Sequence, residues 1–281
     1  MKIYRYFHFL SFDIVLGAMA SSCLAARLFN SHPGWVWWIS LPLTVWLIYT
    51  NSQLMAAWRN RKRLQLESQK YLFKNRSILL WTQGLVTVID LLLIFNFLPH
   101  EILKYALVLA GAVLLFSALR YLLRKSRRYF VPGELFVLVI YMAGTWLGPL
   151  ATREGPLIPA HALIAIGFSG VLFMNLGVIS LYDRSLHTRL GIASMKESYG
   201  KRATRNLVLA AGFSIYLLNL LQFLVFEVDR YFQFALILSG MATILLLVLF
   251  LPTLFRSDEH YRWTADAVLY MGFLTMLIAL Q

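Results

Sequence analysis

Apolar residues come in long runs along this chain instead of alternating with polar ones. Runs of roughly 17–25 mostly apolar residues, the length that crosses a bilayer, lie near 7–29, 36–57, 78–98, 103–123, 132–151, 157–181, 205–226, 231–251 and 264–280. Hydrocarbon offers no partner to backbone amides and carbonyls, so each run is expected to be a helix that satisfies its own hydrogen bonds. Phe97-Leu98-Pro99-His100 divides the third run from the fourth. A proline followed by polar residues predicts a tight turn there, not one very long helix. The predicted fold class is all-α integral membrane: nine transmembrane helices in a single polytopic domain over residues 1–281, with a cytoplasmic N-terminus.

Charge placement supports that count. With the N-terminus inside, the inner segments hold 22 of the 26 lysines and arginines, and the outer side keeps only Arg27, Lys104, Arg153 and Arg230. This bias follows the positive-inside rule, and adding or removing one helix would scramble it. The expected location is a bacterial-type cytoplasmic (inner) membrane with the basic loops in the cytoplasm. Outer turns such as Asn30-Ser31-His32-Pro33-Gly34 are short. The inner loops after the second and sixth helices run to roughly twenty residues, longer than most helix connections. Trp35, Trp37 and Trp38 are expected at a membrane interface, where amphipathic rings prefer to sit.

Composition agrees. Hydrophobic residues make up 59% of the 281 and charged ones 14%, against about 25% charged in soluble domains. The basic balance, +13 at pH 7, is accounted for by the membrane and implies no nucleic-acid partner. Cys23, the single cysteine, excludes an intrachain disulfide or a cysteine metal cluster; it reads as a small buried residue of the first span. No phosphate-binding loop, dinucleotide fingerprint, His-Glu-x-x-His or Gly-x-Ser-x-Gly element occurs.

Candidate chemistry lies at the inner ends of the second and sixth helices, which read YTNSQLMAAWR and NLGVISLYDRSLH. Tyr49 and Thr50 match a motif of the form Tyr-Thr-x-Asp-x-x-x-Asp, with Ser52 and Ala56 at the two carboxylate positions. Asn175, Leu176, Ser180 and Asp183 match a second motif, with His187 at its final carboxylate. Tyr261-Arg262-Trp263 followed by Asp266, the opening Ser11-Phe12-Asp13, and Glu134 at the start of the fifth helix fit the same pattern. Together these resemble the UbiA superfamily of membrane prenyltransferases. The resemblance implies a UbiA-like helical bundle with an isoprenoid-sized cavity. In that family, carboxylates of the two motifs bind magnesium, which holds the donor's diphosphate.

The departures bear on the chemistry. Magnesium takes hard oxygen ligands, and carboxylates at i, i+4 share one helix face. Ser52 and Ala56 keep that spacing without the charge, and imidazole at His187 suits other metals better. Asp183 is the one carboxylate left of four. The expectation is a divergent UbiA-like protein that binds lipid or isoprenoid, or serves as a subunit of a membrane complex. No metal or other cofactor and no canonical magnesium–diphosphate catalysis is expected of it. The alternative is an active prenyltransferase with altered residues: Asp183 and His187 catalytic, magnesium retained, and Arg127, Arg128, Lys196, Lys201 and Arg202 pairing with diphosphate. Those five cations are also what the positive-inside rule demands, with anionic headgroups as partners.

Asp13, Asp90, Asn175 and Asp266 are polar residues within predicted spans. Each carboxylate is expected to face the protein interior, because exposure to hydrocarbon is costly. Asp13 has Ser11 within reach, and Asp90 is the deepest. A channel through Asp13 and Asp90 is a third reading. Asn175 and Gln222 are expected to hydrogen-bond between helices, and Gly144 and Gly148 to permit close helix packing.

The orientation has a direct test in a Cys23→Ser background. A membrane-impermeant maleimide is expected to label Arg153→Cys in intact cells and Lys70→Cys only after permeabilisation; the reverse pattern would invert the assigned topology.

Overall fold

The computed structural model describes residues 7, 9–59, 61, 67–123, 133–182, 194–225, 229–255 and 260–277. Among these the regular structure is helical and no strand occurs. The long helices are α1 (Phe12–Leu28), α2 (Trp35–Arg59), α4 (Arg76–Phe97), α5 (His100–Leu123), α6 (Gly133–Ala151), α7 (Pro159–Tyr182), α9 (Lys201–Val225) and α10 (Asp229–Phe250). Short helices α3 (Glu67–Lys74), α8 (Met195–Tyr199) and α11 (Pro252–Phe255) lie in the connections. The chain continues through α12 (His260–Val268) into a 3-10 helix over Leu269–Leu277. Five helices, α4, α6, α7, α9 and α10, contain stretches long and apolar enough to cross a membrane.

The turn at Pro99 forms for the reason given by the sequence. Leu98 is extended (ψ 134°), as the residue before a proline must be to avoid its ring, and α5 begins at His100. The last segment differs from a uniform α-helix. Its nine α residues and nine 3-10 residues rise about 1.5 and 2.0 Å each, or about 31 Å in all. That is close to the roughly 30 Å of hydrocarbon, which the same residues wound wholly as α-helix would fall short of.

Packing is uneven around the bundle. The main core joins α7 to α9 and α10 through Phe168, Val171, Ile215, Phe234 and Leu238, and extends to Leu24 and Leu28 of α1. The C-terminal 3-10 helix lies along α1 so closely that a Cβ on Gly272 would stand 2.5 Å from the Ala20 carbonyl oxygen. On the other side, α4 packs on α2, and α5 packs on α6. Among the described residues no extensive packing joins α4 to α5 or α2 to α6. The two pairs meet at the short-turn end, where Trp37 and Leu41 cluster with Ile102, Leu147 and Ala151.

Several expectations are corrected by this packing. Trp37 is covered by protein: it is 7% exposed and donates its indole N–H to Ser22 Oγ at 2.9 Å. Only Gly148 of the Gly144/Gly148 pair permits a close approach: a Cβ there would stand 2.5 Å from the Trp37 ring, while nothing lies within 4 Å of one at Gly144. Gln222 is buried, yet among the described residues its amide has no hydrogen-bond partner. Cys23 is buried in α1.

Gly272→Ala is expected to cost about 1–3 kcal/mol by overpacking against backbone that has no rotamer to change. Gly111→Ala, with open space around its Cβ, is expected to be neutral or to stabilise by up to about 1 kcal/mol. Thermal unfolding of both variants in detergent checks the contrast.

Candidate functional site: a polar cluster inside the helices

Side chains from five elements, α1, α2, α6, α12 and the C-terminal 3-10 helix, come together inside the helices. Ser21 of α1 donates to the Gly17 carbonyl (2.8 Å), so Tyr141 of α6 is the donor in the 3.0 Å bond between the Tyr141 and Ser21 hydroxyls. Tyr49 of α2 lies within electrostatic range of both Asp13 and Asp266. Tyr141 is similarly near Tyr49, Asp266 and Tyr270. Tyr270, on the 3-10 helix, donates its hydroxyl to the Asp13 carbonyl at 3.1 Å. Asp13 is buried, while Tyr49, Tyr141, Asp266 and Tyr270 each keep part of their surface open. The cluster thus holds two carboxyl groups and three phenols, with the buried Arg262 one helical turn before Asp266.

The start of α1 is fixed by a strained residue. Ser11 takes a left-handed conformation (φ 60°) without capping the helix, which is unfavourable for a residue with a Cβ. Its hydroxyl accepts from Gln53 Nε2 of α2 at 2.8 Å and makes no bond to the Asp13 carboxyl. Asp13 Oδ1 instead accepts from the Ile14 backbone N–H at 2.9 Å. Asn175 donates to the Ala265 carbonyl, tying α7 to α12 beside Asp266.

Two other residues of the sequence pattern anchor a loop. Glu134 is 2% exposed, and its Oε1 accepts from the Met195 backbone N–H at 2.8 Å. Ser180 Oγ accepts from the Lys196 backbone N–H at 3.2 Å. Lys196 Nζ donates to the Leu181 carbonyl, also at 3.2 Å, where a cation complements the C-terminal end of α7. A capping box between Ser194 and Glu197 completes the arrangement.

Lys201 and Arg202 stand exposed at the start of α9. Asp183, His187, Arg127 and Arg128 lie outside the described residues. Ser52 is half-buried on α2 and Ala56 is 4% exposed. This end of α2 does not fit magnesium in the manner of an aspartate-rich motif: one hydroxyl is a weak ligand, and a buried methyl is none. Among the described residues no group of three or more His, Cys, Asp or Glu side chains could hold a metal ion. Asp90 is not part of this cluster; it is buried on α4 and accepts from Thr44 of α2 at 2.7 Å.

No protein-family model, curated protein or solved structure matches the chain. Fold and composition define an all-helical protein with five helices long and apolar enough to cross a membrane.

Sequence reading had marked Tyr49, Asp13 and Asp266 separately; it had no signal for Tyr141 or Tyr270, whose spans read as ordinary apolar helices. Removing the buried acceptor in Glu134→Ala is expected to cost about 1–3 kcal/mol by orphaning the Met195 N–H. Glu134→Gln keeps an acceptor and is expected to lose less, as thermal unfolding of the two variants would record.

Proposed function

We infer that this chain is a nine-span membrane protein with a UbiA-like bundle, its N-terminus and basic loops in the cytoplasm of a bacterial-type inner membrane. It binds a lipid or isoprenoid within the bundle, or serves there as a subunit of a membrane complex, without magnesium-dependent transfer from a diphosphate. The observation that carries this reading is the pairing of Ser52 with the buried methyl of Ala56, where the resemblance calls for two carboxylates. The polar cluster supports it. The buried Asp13 and the partly open Asp266 set two carboxyl groups beside one described cation, Arg262, a balance that disfavours a polyanionic diphosphate but suits neutral hydroxyl or carbonyl groups. Phenols and carboxyls there supply both donors and acceptors, and the surrounding helices supply apolar walls.

Ligand that binds only the folded state raises the apparent stability, by about 2.7 kcal/mol at a hundredfold excess over Kd. Purified protein in mild detergent is expected to show the same thermal shift with geranylgeraniol as with geranylgeranyl diphosphate, and no dependence on magnesium. A shift requiring both diphosphate and magnesium would replace this reading with an active prenyltransferase using Asp183.

A further inference from the structure

An open groove with a volume of about 560 Å³ lies between α2 and α4. It shares no residue with the polar cluster. Its polar lining is Thr44 and Asn51 from α2 and Gln83, Thr87 and Asp90 from α4; the remaining lining is aliphatic or glycine, with no cation. Thr44 occupies Asp90 Oδ2, and Thr87 donates to the Gln83 backbone carbonyl at 2.7 Å. Two buried polar atoms remain. Among the described residues neither Asp90 Oδ1 nor Gln83 Nε2 has a well-aligned hydrogen-bond partner; the Ser40 hydroxyl stands beside the Asp90 carboxyl without such a bond, and Asp90 and Gln83 are only 4% and 8% exposed.

Position narrows what can satisfy them. α4 is one of the helices able to cross a membrane, and Gln83 and Asp90 stand about 10 and 21 Å along it from Arg76. A zwitterionic or anionic headgroup is too strongly hydrated to sit that far into hydrocarbon. An anionic one would also meet a carboxyl group with no cation among the lining residues. Gln83 Nε2 requires an acceptor, and Asp90 Oδ1 accepts when ionised or donates when protonated. The two residues stand two turns apart, about 10 Å along α4, so each is met by its own hydroxyl group, which donates and accepts through one atom. Alkyl chain attached to it would lie against Leu47, Leu80, Leu91 and Ile94 of the same concavity.

We propose that the α2–α4 groove binds uncharged, hydroxyl-bearing lipid, of the fatty-alcohol or diacylglycerol type, through Gln83 and Asp90. This requires only that α4 lie in the bilayer; it is independent of what the polar cluster binds. The test uses the full chain in phosphatidylcholine nanodiscs with a diazirine analogue of 1-hexadecanol, mapping the crosslinks by peptide mass spectrometry. Labelling is expected within residues 80–94, reduced at least tenfold by excess 1-hexadecanol or dioleoylglycerol and unaffected by hexadecane or palmitate. Whichever of the two hydroxyl lipids competes at lower concentration identifies the source. Gln83→Leu and Asp90→Leu are expected to lower labelling at least fivefold. Asp90→Asn, which keeps a donor and an acceptor, and Trp81→Leu, outside the groove on the same helix, are expected to retain it. Equal competition by hexadecane would reduce the groove to a greasy surface, and competition by palmitate would indicate an anion site. Labelling spread evenly over the helices, or blocked by a copurifying polypeptide crosslinked to α4, would equally overturn the proposal.

Discussion

Hydrocarbon cannot hydrogen-bond, and the arrangement of this protein follows from how each polar group copes with that. Backbone groups close their bonds within helices. Many hydroxyl and amide side chains along the spans turn back to the carbonyl four residues earlier: Thr82 to Ile78, Thr87 to Gln83, Asn96 to Leu92, Ser169 to Ala165 and Ser214 to Ala210. Such bonds leave the surface of a helix effectively apolar. Polar atoms not disposed of in this way carry information. Two groups of them stand out, the cluster around Tyr49 and Asp266 and the groove around Gln83 and Asp90, while Gln222 and Glu134 lie elsewhere on α9 and α6. A buried polar group without a partner is strongly unfavourable, so what fills the groove matters to the stability of the whole.

Uneven packing gives those places their access. α7, α9 and α10 form a dense half in which large side chains such as Phe168, Phe234 and Met241 have no exposed surface. The α2–α4 and α5–α6 pairs form a looser half, joined by Trp37, Leu41 and Ile102 at one end. α1 links the halves, held by the 3-10 helix through the close approach of Gly272 to Ala20. Aromatic and small residues thus divide the work: Trp37 closes the end where the turns are short, and Gly272 lets the C-terminal segment lie directly on α1.

The long connection after α7 is fastened at its return point. Glu134, Ser180 and Lys196 engage backbone groups around Ser194–Glu197 and the end of α7. Lys196 is one of the cations expected to meet diphosphate, and its ammonium is here directed at the Leu181 carbonyl. A motif match and a structural duty coexist at these positions. Ser194 and Glu197 form a capping box, a local interaction between residues three apart.

Along the chain, the sequence by itself determined which segments are helical, where Pro99 divides two of them, and how basic residues separate the ends. Each depends on a segment's own composition: apolar length, a proline's fixed ring, a run of like charge. Tertiary structure alone decided which faces meet. Trp37 and Trp35 are near neighbours in an aromatic run, yet one is buried against Ser22 and the other is 59% exposed. Gly144 and Gly148 form one motif, and only the second receives a ring. Asp90 finds Thr44 across two helices, a pairing invisible in either segment. Inside a bilayer no gain from leaving water orients one apolar helix against another. Shape and a few hydrogen bonds make that choice, and both exist only after the helices come together.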